Sequence, residues 1–327
     1  MPSSPATAGP APGPSAAAVM SPRHIALAVL VAAVWGLNFV LIHVGLEAFP
    51  PLLFCALRFA VVAVPAVFLV GRPRVAWRWI LAVGLVLGVV KFGLLFLGMH
   101  AGMPAGLSSL VLQSQAVFTA LFAAVLLRER PGGRRLAGLA VAFAGIGLAA
   151  VDRGVGGPIG AFALVVASAV FWGLANVLTR KAAPEDALRW MVWVSVVPPL
   201  PLLGLSLLVE GARADLAALA SIGWPGVGAI LYVGLVSTLF GFVAWSHLLR
   251  RYDASAVAPY SLLVPVFGMS SSWLLLGERF SALAGAAAVL VIAGIGLTAL
   301  RPARRERPRR RSRRPAVPAA ARPARRG

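Results

Sequence analysis

The sequence contains one cysteine, Cys55, and 10 acidic residues against 30 basic ones. A single cysteine excludes a disulfide within the chain and any metal site built from several cysteines. The four histidines, at 24, 43, 100 and 247, are scattered without ligand spacing, so no metal site is predicted. The chain also lacks the HExxH, P-loop, dinucleotide-binding and Gly-x-Ser-x-Gly motifs. We therefore predict neither a cofactor nor enzymatic activity.

Charged residues make up 12% of the chain and hydrophobic residues 60%, with a mean hydropathy of +0.88. This composition lies outside the range of soluble domains and predicts a multi-pass membrane protein. Of the 30 Lys and Arg residues, 12 lie after Leu300, and only Arg58 and Lys91 fall within apolar runs. The net charge of +20 therefore belongs to loops and a tail, and an arginine-rich run alone does not specify nucleic acid as a partner.

Apolar runs near the ~20 residues that a bilayer requires occur ten times. We therefore expect an all-α membrane protein of ten transmembrane helices. Residues 1–21, rich in Pro and Ala, and residues 301–327, rich in Arg, are predicted to be disordered tails. The predicted spans lie at about 24–44, 51–70, 79–99, 104–127, 135–151, 158–180, 189–209, 224–249, 255–276 and 282–300.

The chain contains two copies of one unit. A constant shift of 149 residues aligns Glu129 with Glu278 in a shared Leu-x-Glu-Arg motif, and it aligns AGIGL at 144–148 with AGIGL at 293–297. A Trp-Gly-Leu motif also precedes an asparagine in both halves, at Asn38 and Asn176. We therefore predict two repeats, residues 22–151 and 158–300, each with five helices.

Five is an odd number, so the second repeat enters the membrane from the opposite side, as in inverted-repeat secondary transporters. With a cytoplasmic N-terminus, the inner segments carry 13 Lys and Arg residues before the tail and the outer loops carry three. The positive-inside rule then places both termini in the cytoplasm of an inner-membrane protein. The arginine tail is expected to contact anionic lipid headgroups.

Charges within a span are costly, so they mark candidate functional residues. Lys91 lies near the middle of the third span and is expected to face a cavity, where it meets a substrate carboxylate. Arg58 lies about seven residues from the outer end of its span and is expected to extend outward to the interface. The Gly84-x-x-x-Gly88 pattern fits a helix contact either within the chain or in a homodimer.

Polar residues within the spans allow two interpretations. Asn38 and Asn176 either join helices or hold substrate atoms. Ser109 and Gln113 share one helical face, and Gln115 lies on another. The prolines of the ninth span cannot donate to the carbonyls of Ser255 and Ser261, so they either kink this helix or expose backbone to a pathway. Along the substrate pathway we place Trp35, Asn38, Arg58, Lys91, Ser109, Gln113, Gln115, Trp172, Asn176, Pro259, Tyr260 and Pro265.

At WGLNFVLIHVGL, PPLLFCALRF, GMPAGLSSLVLQSQAVFTAL, LRERP with LAGLAVAFAGIGL, and RYDASAVAPYSLLVPVFG, the chain resembles the EamA family of the drug/metabolite transporter superfamily. The resemblance covers about residues 22–300 and is nearest to the bacterial exporters of O-acetylserine and cysteine. It implies ten helices in two EamA repeats, and export of small amino-acid metabolites across the inner membrane. The two tails and Lys91 depart from the family pattern.

The function expected from the sequence is a secondary exporter that works by alternating access on a small-molecule substrate. Broader efflux or uptake of drugs or amino acids is an alternative within the same class. A membrane scaffold or receptor that recruits partners through its basic tail is an alternative from another class. A multi-pass enzyme is a third, and the missing catalytic cluster counts against it.

Overall fold

The computed structural model describes residues 20–129, 132–156 and 158–299, so most of both predicted tails lies outside the described residues. The described residues form helices and no β-strand. Ten helical segments follow one another: α1 (Pro22–Ala48), α2 (Pro51–Leu69), α3 (Trp77–His100), α4 (Ala105–Leu126), α5 (Gly133–Gly156), α6 (Ile159–Ala182), α7 (Ala187–Ala220), α8 (Trp224–Arg251), α9 (Ala258–Leu276) and α10 (Ala282–Ala299).

Nine of these helices, α1 to α9, are long and apolar enough to cross a membrane. The all-α class is confirmed, whereas the described part of α10 is an apolar helix shorter than the other nine. The largest difference in length concerns α7, which the sequence predicts to end at residue 209. It continues to Ala220, with a change of direction at Gly211, whose φ of 95° precedes the last segment, Ala212–Ala220.

Helix α7 is also interrupted at Val197 and Pro198, because the prolines that follow one another there cannot donate helical hydrogen bonds. Both residues fill space that Gly84 and Gly88 leave open on α3. A Cβ at Gly88 would lie 2.9 Å from Cβ of Pro198. The Gly84-x-x-x-Gly88 pattern therefore serves a contact within the chain.

Widened, π-helical segments occur at equivalent places in the two halves. One covers Gly84–Lys91 of α3 and the other Tyr232–Phe240 of α8, and the 149-residue shift superimposes them to within one residue. Tight 3₁₀ turns likewise interrupt α4 at Leu112–Ser114 and precede the main part of α9 at Ala258–Leu262. Such irregular segments often mark functional sites in helices. The repeat is therefore present in the backbone as well as in the sequence.

The Trp-Gly-Leu motifs hold the two halves together. Gly36 of α1 packs against α9, where an added Cβ would lie 2.7 Å from the backbone nitrogen of Gly268. Gly173 of α6 packs against α4 in the same way, with a Cβ position 2.7 Å from the nitrogen of Thr119. The first helix of each half therefore contacts the fourth helix of the other. Only glycine permits backbones to approach so closely.

Helices α5 and α10 form a third contact between the halves, again through small residues. A Cβ on Gly145 would lie 2.9 Å from the nitrogen of Val291 and 3.0 Å from the carbonyl oxygen of Ala287. A Cβ on Gly294, the counterpart of Gly145, would lie 2.6 Å from the carbonyl oxygen of Gly138. The AGIGL motif that occurs twice is thus a helix-packing motif.

We expect Gly145→Ala to destabilise the protein, because the backbone of α10 cannot move away from the added methyl group without loss of packing. The expected cost is about 1–3 kcal/mol, typical of overpacking. Gly147→Ala is the matched control on the same helix, since nothing lies within 4 Å of its Cβ position. Thermal unfolding in detergent compares the two; equal melting temperatures for both variants would contradict this packing.

Candidate functional site

Two cationic side chains lie in the interior between α2, α3 and α6. Arg58 is 3% exposed and Lys91 is 2% exposed. Arg58 was expected to extend to the outer interface, and this expectation is wrong because its guanidinium group packs inward on aromatic rings. An arginine head group is weakly hydrated and stacks on aromatic faces, which favours burial over extension to water.

Phe92 is the aromatic ring that both cations share. The Arg58 Cζ atom lies 3.7 Å from the centroid of this ring, and Lys91 Nζ lies 3.3 Å from it. Phe59 adds a second face to Arg58 at 4.0 Å, and Trp172 adds one to Lys91 at 4.3 Å. These distances are within the range of cation–π attraction, which offsets part of the cost of burying the charges.

Hydrogen-bonding groups satisfy the two cations only in part. Arg58 Nη1 donates a long bond of 3.4 Å to Thr238 Oγ1, while Arg58 Nε and Nη2 are buried without a partner. In the described ranges no carboxylate oxygen lies within 4.0 Å of Arg58 or Lys91. Buried guanidinium groups are normally paired, so this centre has unused capacity to bind an anion.

The π-helical segments place backbone carbonyls toward the first helix of the other half. Ser168 of α6 donates to the carbonyl of Lys91 at 2.7 Å. In the other half, Trp35 Nε1 of α1 donates to the carbonyl of Ser237 at 2.9 Å, and Tyr232 donates to the carbonyl of Val34 at 3.0 Å. Helices α3 and α8 are therefore each held by the first helix of the opposite repeat.

A second polar cluster lies one helical turn beyond Trp172. Asn176 Nδ2 donates to Gln115 Oε1 at 2.7 Å and to Thr119 Oγ1 at 3.0 Å. Thr119 in turn donates to the carbonyl of Gln115 at 2.7 Å. Asn176 and Gln115 are half-buried, so this cluster joins α4 to α6 and still presents polar atoms to the space around it.

Asn38, the counterpart of Asn176, has no such partners. Its Oδ1 atom is buried without a hydrogen bond. The reason lies in α9, where Val264 and Gly268 occupy the places that Gln115 and Thr119 occupy in α4. The contact between α4 and α6 therefore holds a hydrogen-bonded amide cluster, whereas the equivalent contact between α9 and α1 holds an asparagine with an unused acceptor.

Gln113 binds a backbone carbonyl that the sequence predicts to be free. Pro265 cannot donate to the carbonyl of Ser261, and Gln113 Nε2 donates to it instead at 2.9 Å. A side chain from the other half therefore satisfies this carbonyl. A buried carbonyl without a donor is costly, so the proline and the glutamine act as a pair.

Three further residues that were predicted to line the pathway lie away from the cationic centre. Ser109 is buried and donates to the carbonyl of Gly106 at 2.6 Å. Tyr260 packs on the cluster around Leu248 and Val257 at the end of α8, and Pro259 is exposed beside it. The structure therefore does not bring these three residues to the cationic centre.

Two glutamates cap helices of the other half. Glu278 follows the end of its own helix, yet it accepts from the backbone nitrogens of Ala105 at 2.6 Å and Gly106 at 3.0 Å. Glu210 of α7 accepts from Leu52 at 2.8 Å and Leu53 at 3.2 Å. Each carboxylate offsets the positive end of a helix dipole. They line cavities of about 300 Å³ and 440 Å³ respectively.

Glu129, the counterpart of Glu278, binds arginines instead. Arg180 and Arg135 contact its carboxylate, and the hydrogen bond from Arg180 is the main reason that the pKa of Glu129 is lowered. At the same end, Tyr252 Oη accepts from the backbone nitrogen of Ser21 at 3.2 Å, which lowers the pKa of this tyrosine. The two ends of the helix bundle are therefore closed by different chemistry.

A helical membrane protein built from two repeats, with polar and charged groups at the centre of its spans, has the architecture of a secondary transporter. Residues 23–151 and 159–300 each match the EamA-like transporter family. The chain belongs to this family, and it is a multi-pass membrane protein of two repeats.

Curated relatives cover nearly the whole chain. A protein of Salmonella typhimurium named "Probable amino-acid metabolite efflux pump" is 42% identical over 84% of this chain and 94% of its own length. The protein of that name from Escherichia coli is 39% identical over the same shares. A "Probable terminal-alkyne amino-acid exporter" of Streptantibioticus cattleyicolor is 29% identical over 82% of this chain and 91% of its length. One crystal structure shares the fold, with a TM-score of 0.59 and 20% identity over 84% of this chain and 96% of that one.

We expect the bond from Gln113 to matter only because Pro265 lacks an N–H. Gln113→Leu should cost about 1–3 kcal/mol, since the carbonyl of Ser261 then loses its side-chain donor. In a Pro265→Ala background the alanine N–H restores the helical donor, and Gln113→Leu should cost markedly less. Melting temperatures of the four proteins give the coupling. The same loss in both backgrounds would show that Gln113 does not compensate for the proline.

Proposed function

We propose that this protein is a secondary transporter that exports small amino-acid metabolites across the inner membrane. Membership of the EamA-like transporter family supports the class, and the names of the relatives support export of this kind of substrate. The observation that carries the site is the pair of buried cations, Arg58 and Lys91, with no carboxylate beside them in the described residues.

In the proposed complex, the substrate carboxylate binds between these two cations. Arg58 Nε and Nη2 are the donors without a partner, and they suit the two oxygens of a carboxylate in a forked arrangement. Phe59, Phe92 and Trp172 exclude water from the same space. Asn38 and the cluster of Asn176 with Gln115 are the groups proposed to contact polar atoms of the substrate farther along the pathway.

Alternating access fits the way in which the halves contact one another. We propose ten transmembrane helices in two inverted sets of five, with α10 as the tenth span. The cross-repeat contacts at Gly36 and Gly173 are equivalent, so the halves can rock about a centre between them. The contacts of Glu278 and Glu129 lie at opposite ends of the bundle, and in such a motion one would open while the other stays closed.

The distribution of basic residues supports cytoplasmic termini, since the segments that contain Arg72, Arg180 and Arg250 all lie on one side of this topology. Cysteine and O-acetylserine are the first substrates to test, because the motifs of the sequence resemble those of exporters of these compounds. Transport of drugs or other amino acids in the same assay would indicate broader efflux. Transport in the opposite direction would indicate uptake.

We expect Arg58→Gln to reduce transport of labelled cysteine or O-acetylserine into inside-out vesicles by about 10- to 150-fold. This range corresponds to the ~1.5–3 kcal/mol of a hydrogen bond to a charged group. Removal of an unpaired buried charge should leave the melting temperature unchanged or higher, which separates loss of binding from loss of folding. Arg250→Gln, at an exposed position, is the control. Wild-type transport by Arg58→Gln would remove Arg58 from the site.

Deletion of residues 301–327 separates a transporter from a scaffold that recruits partners through its tail. These residues lie outside the described part of the chain, and no described side chain of the centre belongs to them. We therefore expect the shortened protein to transport as fast per molecule as the full chain in the same vesicles. Loss of transport at equal protein levels would instead assign the tail a part in the transport cycle.

A further inference from the structure

Among residues 20–129, 132–156 and 158–299, the charges around the proposed site are all of one sign. Arg58 comes from α2 and Lys91 from α3, and the groups that approach them from α6 and α8 are Trp172, Ser168 and Thr238, which carry no charge. Cys55 of α2, a buried thiol, is the other titratable group beside them. The site can therefore offset negative charge on a ligand, but it offers no counter-ion to a positive group.

The nearest carboxylates named above are already bound. Glu210 accepts from the backbone nitrogens at the start of α2, and Ser206 Oγ links it to Asp215 at 2.5 and 2.9 Å. These groups belong to the end of α7 and hold α2 in place. An ammonium group at the cationic centre could not recruit them without releasing the end of that helix.

Aromatic faces are the other means of binding an ammonium group in a dry site. Here the protein's own cations already occupy them. Phe92 contacts both Arg58 and Lys91, Phe59 contacts Arg58, and Trp172 contacts Lys91. A free α-ammonium group would therefore meet two like charges in a medium of low dielectric constant and would find neither a carboxylate nor a free ring.

From these charges we infer that the site selects amino-acid derivatives of net negative charge whose amino group is acylated. This inference rests on the function proposed above. An N-acylated amino acid supplies the carboxylate that Arg58 and Lys91 lack. Its amide is neutral, so it adds no positive charge. A zwitterion supplies the same carboxylate but adds the repelled ammonium group.

O-acetylserine and N-acetylserine test this inference directly, because they are isomers that differ in net charge. Each is supplied labelled at pH 6.5, where transfer of the acetyl group from oxygen to nitrogen is slow, to liposomes that contain the purified full-length protein. Cysteine and N-acetylcysteine form a second pair. We expect the N-acetylated member of each pair to have at least a tenfold higher kcat/KM than the zwitterionic member.

Lys91→Gln and Lys91→Arg test whether charge causes the preference. Glutamine removes one positive charge at similar size, so we expect the preference for N-acetylserine over O-acetylserine to fall at least fivefold. Arginine keeps the charge and should keep most of the preference. Melting temperatures confirm that each variant is folded, and the ratio of the two isomers within one variant does not depend on how much protein is active.

The results distinguish failure of the proposed preference for anions from failure of the proposed exporter function. Equal or faster transport of O-acetylserine by the wild-type protein would overturn the preference for anions and leave the exporter function standing. A preference that Lys91→Gln does not change would remove Lys91 as its cause. Failure to transport any of the four compounds, in liposomes where a control transporter works, would overturn the exporter proposal itself.

Discussion

Burial of positive charge among apolar helices is the constraint on which the centre of this protein depends. A charged side chain in a span is tolerated only when protein groups or water replace its lost hydration. Here aromatic rings do so in part, because Phe92 contacts both Arg58 and Lys91. Two nitrogens of Arg58 are still without a partner. The contacts with the rings allow the folded protein to tolerate the two charges. Because these contacts do not satisfy every donor, the centre can still bind an anion.

The two halves share a backbone plan and differ in side-chain chemistry. Both have a π-helical segment in the third helix, and in both the first helix packs on the fourth helix of the other half. Yet Gln115 and Thr119 have Val264 and Gly268 as counterparts. In the function proposed above, a symmetric frame would permit equivalent motions of the halves, whereas a small substrate has unlike ends. Divergence of side chains at equivalent places would provide unlike surroundings for those ends.

Hydropathy and repeats predict most of the fold, because the length of a span and the spacing of a motif are properties of the sequence itself. The direction in which a side chain points is not such a property. Arg58 is correctly placed within its span by counting, but its inward packing depends on rings that come from α3. Gln113 and Pro265 are each visible in the sequence, but their connection through the carbonyl of Ser261 requires the two halves to meet. Glu278 looked like a solvated helix end, since nothing in its own segment shows that the start of α4 lies beside it.

The exchange of partners between the halves has a consequence for biosynthesis. Gly36 of α1 can contact Phe267 and Gly268 only when these residues have left the ribosome, long after α1 itself has been made. Until then the narrow glycine face of α1 is open to lipid or to an insertion factor. The first five helices therefore cannot complete their packing as an independent unit, and assembly of the centre waits for the last third of the chain.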